Sequence, residues 1–105
     1  MLNLFQHHII YENVKLSYIY IMTNKYRNTF YIGVTSNLEN RIIQYALDEG
    51  SKFTKKYNLK DLVYFEDFTD INQAIIREKQ LKNWYHDWKV NLIKESNPTL
   101  ETLQI

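Results

Sequence analysis

The sequence predicts an α+β fold, in which a small, mostly antiparallel three-stranded sheet carries flanking helices in the order ββαβα. Two observations predict it. Two short segments rich in aromatic and β-branched residues flank a polar turn, and segments with apolar residues at helical spacing follow them. At 105 residues the chain is long enough for one domain with one core.

The predicted strands come from short apolar runs bounded by polar residues. Residues 17–23 (SYIYIMT) and 29–34 (TFYIGV) are joined by the polar residues 24–28, which indicates an antiparallel hairpin. Residues 61–66 (DLVYFE) predict a third strand. Because side chains alternate along a strand, Tyr18 and Tyr20 share one face of the first strand.

The first predicted helix follows the hairpin. Ser36 with Glu39 three residues later is typical of a capping box, and Gly50 is expected to close the helix. Residues 51–60 (SKFTKKYNLK) then read as a basic, polar loop.

A long helical region follows the third strand. We expect Thr69 or Asp70 to cap it and the helix to run from about residue 71 to about residue 93. Trp84 or His86 marks a break between two helices, and the Asn-Pro pair at 97–98 ends the helical region.

We therefore expect a domain over residues 17–95, with residues 1–16 as a tail or extra edge segment and 96–105 as a C-terminal tail. His7 and His8 fall in the first segment, where adjacent histidines are ordinarily solvated and not metal ligands.

Composition excludes several classes of function. The absence of cysteine excludes disulfides, zinc ribbons and thiol nucleophiles, and it suits a cytoplasmic protein. Two glycines are too few for a P-loop, and no apolar run approaches the roughly 18 residues of a membrane span. The net charge of +1 does not by itself favour nucleic-acid binding.

Glu78 interrupts an apolar stripe on the long helical region. The stripe consists of Ile71, Ala74, Ile75, Leu81, Tyr85, Trp88 and Leu92. Removing a carboxylate from water costs several kcal/mol, so Glu78 requires a proton, a cationic partner or a metal ion. The pattern leaves open a structural ion pair, for example with Arg41, and a metal site.

Two groups of basic residues have both a structural and a functional interpretation. Arg41 lies at the edge of the apolar face of the first helix, where it reaches solvent or binds a phosphate through its planar guanidinium. Lys52, Lys55 and Lys56 are interleaved with aromatic rings, a composition that suits a nucleic-acid backbone and equally a solvated loop.

The order of these residues resembles the GIY-YIG endonuclease family. Residues 31–33 (YIG) match its second motif, and residues 18–20 (YIY) match its first motif with Tyr18 in place of glycine. Arg41 stands eight residues after Gly33, and Glu78 lies on a later helix. Over residues 17–95 the chain is similar to small stand-alone bacterial members, which resemble the nuclease domain of the excinuclease C subunit.

The resemblance implies hydrolysis of phosphodiester bonds in DNA, in repair or mobile-element processing, with Mg²⁺ as cofactor and Mn²⁺ as a substitute. It implies that Glu78 binds the metal and that Arg41 binds the scissile phosphate. Tyr20 or Tyr31 acts as general base, the choice being open, and Tyr45 orients water or holds its neighbours.

Further residues have supporting roles in this interpretation. The strand motif residues are Tyr18, Ile19, Ile32 and Gly33, of which the glycine lets the backbone turn or approach a neighbour closely. Lys52, Lys55 and Lys56 would contact the DNA backbone. The expected assembly is a monomer or weak homodimer. Because one active centre cuts one strand, a double-strand break would need a dimer or two sequential cuts.

The sequence also departs from the family pattern. Val34 and Tyr45 stand where some members carry lysine and histidine, and the late asparagine has two candidates, Asn91 and Asn97. The alternative function is therefore a catalytically silent nucleic-acid-binding or protein-interaction module of the same fold.

The nuclease hypothesis makes a geometric prediction. Tyr20, Tyr31, Arg41 and Glu78 should converge on one concave face, and both tyrosine hydroxyls should open onto the same pocket as the guanidinium and the carboxylate.

Overall fold

The computed structural model describes residues 15–105, which form one antiparallel three-stranded sheet and four helices, so the predicted α+β class is confirmed. The strands are β1 (Ser17–Thr23), β2 (Phe30–Thr35) and β3 (Asp61–Phe68). The helices are α1 (Leu38–Ala46), α2 (Lys52–Lys56), α3 (Ile71–Lys82) and α4 (His86–Ser96). Predictions on residues 1–14, including His7 and His8, fall outside the described residues.

Strand β1 lies at the centre of the sheet, between the edge strands β2 and β3. Every residue of β1 is buried, because both of its faces are covered. In the hairpin, Tyr20 lies opposite Gly33, and Met22 lies opposite Tyr31. Residues that pair directly across two strands project to the same face, so both tyrosines share one face of the sheet.

Two apolar clusters cover the two faces of the sheet. The first joins the strand tyrosines to α1 and the segment before β3, through Tyr18, Tyr20, Met22, Leu38, Tyr45, Leu59 and Leu62. The second joins the alternate residues of β1 to α3 and α4, through Ile19, Ile21, Ile32, Val63, Ala74, Leu81 and Ile93. The alternation predicted for β1 therefore decides which helix meets which side chain.

Helix α1 begins and ends differently from the prediction. The predicted cap Ser36 is wrong: the side chain of Asn37 accepts the cap hydrogen bond from Asn40 N at 3.0 Å. The helix ends at Ala46, before Gly50, and Asp48 takes the left-handed conformation at φ 58°. Asparagine and aspartate tolerate these positions because their short polar side chains bond the local backbone.

The segment 51–60 is not a continuous loop. Ser51 caps the short helix α2 by accepting a hydrogen bond from Thr54 N at 3.2 Å. Thr54 is the buried residue of this helix, and the Phe53 ring lies near that of Tyr31. The basic residues were interpreted as a loop because five residues are too few to show a helical period.

The long helical region breaks where the sequence predicted. Helix α3 starts after Asp70, which accepts a hydrogen bond from Asn72 N at 2.9 Å, and a new helix starts at His86. The change of direction removes Tyr85 and Trp88 of the predicted apolar stripe from the core, whereas Leu92 packs against the second cluster. Tyr85 and Trp88 are 73% and 52% exposed.

The predicted C-terminal tail packs against the sheet. The side-chain amide of Asn97 donates to Val63 O at 3.1 Å, and the backbone N–H of Leu103 donates to Leu62 O at 2.8 Å. Leu100 is buried in the second cluster. No helix in residues 15–105 is long and apolar enough to cross a membrane.

Candidate active site

The candidate site lies at the open edge of β2. Tyr31 projects to the face covered by α1, whereas the buried residues of α3 cover the opposite face. Nevertheless, Lys82 Nζ lies 5.9 Å from the centroid of the Tyr31 ring. Because β2 is an edge strand, side chains from α3 can pass around it and meet side chains of the other face.

Glu78 is the carboxylate at this edge. Its Oε1 lies 3.6 Å from Lys82 Nζ, one helical turn later, so the ion-pair partner of Glu78 is Lys82. The Glu78 side chain is 16% exposed, and that of Lys82 is 48% exposed. Because the Lys82 ammonium is half-exposed, it can leave the carboxylate and another cation can take its place.

Lys82 was missed from the sequence. It lies four residues after Glu78 on the same helix, a spacing that predicts an ion pair. Its proximity to Tyr31 comes from the packing of α3 against β2 and has no signal in the sequence.

Tyr20 and Tyr45 form a buried pair behind this edge. Their hydroxyls share a hydrogen bond of 2.9 Å, and Tyr20 is only 2% exposed. Burial raises the pKa of the Tyr20 hydroxyl. The hydrogen bond with Tyr45 and the charge of Arg41 lower this pKa in part, whereas Tyr31 and Glu78 raise it further. Arg41, Tyr31 and Glu78 are thus all within electrostatic range of Tyr20.

The pKa of Tyr45 is also raised, first by burial and then by its hydrogen bond with Tyr20. The raised pKa keeps both hydroxyls protonated at neutral pH. The two hydroxyls are buried and bonded to each other, so the pair holds neighbouring groups in place.

Gly33 makes room for the Tyr20 ring. A Cβ at position 33 would lie 2.9 Å from Tyr20 Cε1 and closer still to the hydroxyl. Gly33 does not have a positive φ angle, so a turn does not explain the glycine at this position. The close approach of the Tyr20 ring explains it. Tyr18, Ile19 and Ile32 are buried in the two clusters, which suits their structural interpretation.

We predict that Gly33→Ala destabilises the protein by about 1 to 3 kcal/mol, because the buried Tyr20 ring must shift to admit the methyl group. Thermal or denaturant unfolding measures the effect. A Tyr20→Leu background serves as the control, since the shorter side chain leaves room and the added cost of Gly33→Ala should fall. Equal costs in both backgrounds would show that the ring is not the obstacle.

Arg41 faces a different space. Among residues 15–105 its guanidinium makes no hydrogen bond or ion pair, and it lines a cavity of about 550 Å³ together with Val34, Thr35 and Ser36. Tyr20, Tyr31 and Glu78 do not line that cavity. Tyr31 and Glu78 both lie near Lys82 at the β2 edge, and the convergence of all four residues on one pocket stays a prediction.

The basic helix α2 lies next to Tyr31. The Phe53 ring centroid is 6.2 Å from that of Tyr31 and 4.8 Å from that of Tyr57, so an aromatic row runs from the site to α2. Three exposed lysines project from this helix, namely Lys52, Lys55 and Lys56. Their position places positive charge beside the candidate site.

The two late asparagines have different environments. Asn97 is buried, and its side chain bonds Val63 O and both backbone groups of Glu101. Asn91 is exposed on α4. Asn97 thus anchors the C-terminal segment, which is a structural role.

A metal ion at this site would be held mainly by water and substrate. No cluster of three or more His, Cys, Asp or Glu residues occurs within the described part of the chain. Mg²⁺ commonly binds through one or two carboxylates and keeps several waters. The single, partly exposed carboxylate of Glu78 fits that mode of binding and does not fit a closed protein cage.

This chain is similar to known proteins in sequence and in structure. The GIY-YIG catalytic domain model matches residues 16–91 of this chain. UPF0213 protein SH2523 of Staphylococcus haemolyticus is 36% identical over 78 residues, which cover 74% of this chain and 94% of that protein. A UPF0213 protein of Pediococcus pentosaceus is 34% identical over 77 residues, covering 73% and 81% respectively.

A solved structure shows a similar fold. The solution NMR structure of UPF0213 protein BH0048 from Bacillus halodurans superposes with a TM-score of 0.53 at 25% sequence identity. The match covers 83% of this chain and 92% of that one.

Proposed function

This chain belongs to the GIY-YIG catalytic domain family, and we propose from that premise that it is a Mg²⁺-dependent endonuclease that hydrolyses phosphodiester bonds in DNA. A GIY-YIG domain implies nuclease activity in general; the metal and the substrate are our proposal. The observation that supports it most is that Lys82 lies near both the Glu78 carboxylate and the Tyr31 ring at the open edge of β2.

Glu78 would supply the protein ligand to the metal. When bound, Mg²⁺, or Mn²⁺ in its place, polarises a phosphate oxygen and stabilises the leaving oxygen. Lys82 holds the Glu78 carboxylate in the free protein, and its exposed side chain would withdraw when the metal binds. Lys82 thereby offsets the negative charge of Glu78 until substrate arrives.

Tyr31 is the better candidate for the general base. It is partly exposed at the edge of β2, whereas Tyr20 is 2% exposed and bonded to Tyr45. A general base must reach the attacking water directly or through one other water molecule. Tyr20 and Tyr45 would instead pack beneath the site and fix the position of β2, the strand that carries Tyr31.

Arg41 would bind the scissile phosphate from the other side of the edge. Because its guanidinium has no partner among residues 15–105, it can donate two parallel hydrogen bonds to phosphate oxygens. These bonds strengthen as negative charge develops in the transition state.

Nicking of supercoiled plasmid tests the proposal. Purified protein should convert supercoiled plasmid to the nicked form with Mg²⁺ and should fail to do so with EDTA. Nicking is the expected first product, because we expect a monomer or weak homodimer with one active centre per chain. Binding of DNA without nicking in Mg²⁺ or Mn²⁺ would instead support a catalytically silent nucleic-acid-binding module, a function that the Lys82–Glu78 pair would favour.

The lysines of α2 carry a separate prediction. Replacing all three with glutamine should weaken DNA binding and should lower the slope of log K against log salt by about one for each lost phosphate contact. Binding is measured in EDTA across a series of salt concentrations. A matched control replaces three exposed lysines on other elements, namely Lys25, Lys79 and Lys94. If both triple variants lose the same slope, α2 has no special place on the DNA-facing surface.

A further inference from the structure

The cavity that Arg41 lines has a composition of its own. It lies between the start of β1, the turn from β2 to α1 and the turn from β3 to α3, and its volume is about 550 Å³. Sites for small ligands commonly measure about 300 to 1,000 Å³. Its lining consists of Lys15, Ser17, Val34, Thr35, Ser36, Arg41, Thr69 and Ile71.

The polar lining of the cavity is made of cations and hydroxyls. Lys15 and Arg41 supply positive charge, and within residues 15–105 neither makes an ion pair and no carboxylate lines the cavity. Two cations without counter-ions attract an anion, and hydroxyl groups add donors that turn toward it.

Three of the four hydroxyls are also without partners. Thr35 Oγ1 bonds the backbone of Asn37, but Ser17, Ser36 and Thr69 make no side-chain hydrogen bond with any described residue. For Ser36 the reason is visible, because Asn37 takes the helix-capping role that Ser36 was expected to have. Its hydroxyl is therefore left to face the cavity.

Ser17 is the most informative of these residues. It is only 7% exposed, and a buried hydroxyl with no hydrogen bond costs stability. The neighbouring inward residues of β1 on the same face, Ile19 and Ile21, are apolar. A serine in the lining of this cavity therefore lowers stability unless a bound group uses its hydroxyl.

We propose that this cavity binds a backbone phosphate of the DNA strand, adjacent to the phosphate that is cut. The inference rests on the proposed function, because Arg41 links the cavity to the β2 edge. Lys15 would pair with the phosphate charge, and Ser17, Ser36 and Thr69 would donate to its oxygens. Val34 and Ile71 would contact the adjoining sugar. The cavity thus fixes the strand, while the β2 edge performs the hydrolysis.

Binding of a short DNA duplex in EDTA tests the subsite. Ser17→Ala should raise Kd by about tenfold, the equivalent of one hydrogen bond to a charged group. Lys15→Gln should lower the salt slope by about one. Ser96→Ala, on the exposed side of α4, is the matched control and should bind as wild type. Wild-type binding by both cavity variants would overturn the proposal.

A melting measurement separates binding from folding. Without DNA, Ser17→Ala should melt at the same temperature as wild type or higher, since it removes a buried hydroxyl that has no partner. If Ser17→Ala melts lower, Thr69→Val and Ser36→Ala take its place, because both residues lie in turns. Wild-type DNA affinity in those two variants would also overturn the proposal.

Three further outcomes distinguish free phosphate from DNA as the ligand, and failure of the subsite from failure of the proposed function. If inorganic phosphate raises the melting temperature of wild type but not of Ser17→Ala, while both bind DNA equally, the cavity takes free phosphate and the DNA assignment is wrong. If wild type fails to nick plasmid but the cavity variants bind DNA more weakly, the proposed function fails and the subsite stands. If wild type nicks and the variants bind and nick like it, the subsite fails alone.

Discussion

Replacing Glu78 with glutamine is expected to abolish Mg²⁺-dependent nicking and to leave the protein folded. Glutamine keeps the shape of the side chain but removes the charge that holds the metal. A metal ion contributes several kcal/mol at the transition state, and each 1.36 kcal/mol is tenfold in rate, so a loss of about 1,000-fold is expected. Breaking the ion pair with Lys82 should cost only roughly 0.3 to 0.5 kcal/mol of stability.

Lys82→Gln is the matched control for this prediction, because it breaks the same ion pair and keeps the carboxylate. If Glu78 binds the metal, Lys82→Gln should retain nicking and reach half its maximal rate at a lower Mg²⁺ concentration, since a competing cation is gone. If the ion pair itself matters, the two variants should lose activity together. Persistent nicking by Glu78→Gln would remove Glu78 from the metal site.

Replacing Tyr31 with phenylalanine should lower the nicking rate by a factor of about 100 to 10,000, the usual contribution of a general base. Phenylalanine keeps the ring that packs against Phe53 and lies near Lys82, so the melting temperature should change little. Single-turnover nicking at saturating DNA measures the effect without a contribution from binding.

Tyr20→Phe is the comparison variant that shows which of the two tyrosines acts as the base. It leaves the buried Tyr45 hydroxyl without its partner, which should cost about 1 to 3 kcal/mol of stability. Its effect on the nicking rate of the folded protein should be smaller than that of Tyr31→Phe. If Tyr20→Phe abolishes nicking and Tyr31→Phe does not, the buried hydroxyl is the base and our assignment is reversed. Tyr26→Phe, at an exposed position, controls for loss of a hydroxyl alone.

The elements that could be predicted were those with a strong local pattern. Aromatic and β-branched residues in 17–23 predicted the strand and placed Tyr18 and Tyr20 on one face, but burial of both faces was not predicted. The break in the long helical region was predicted at Trp84 or His86, and the second helix begins at His86. Helix α2 and the precise cap of α1 were not predictable. A five-residue helix has no period to detect, and Ser36 and Asn37 are equally good caps until the backbone dihedral angles choose between them.

The candidate site also has features that could be predicted from the sequence and features that could not. The sequence by itself determined which chemical groups are present: a glutamate on an apolar stripe, an arginine at the edge of a helix face, tyrosines on one face of a hairpin and a cluster of lysines. It determined these because helix and strand periods are local properties of the chain.

Which of these groups come together depends on how the helices pack on the sheet. The position of β2 at the sheet edge lets Lys82 and Glu78 of α3 reach Tyr31 from the opposite face, and no sequence spacing encodes that. Packing of α1 against β1 buries Tyr20 with Tyr45 and raises both pKa values. The three chain segments around Arg41 are far apart in sequence, so their cavity exists only once side-chain packing has joined them.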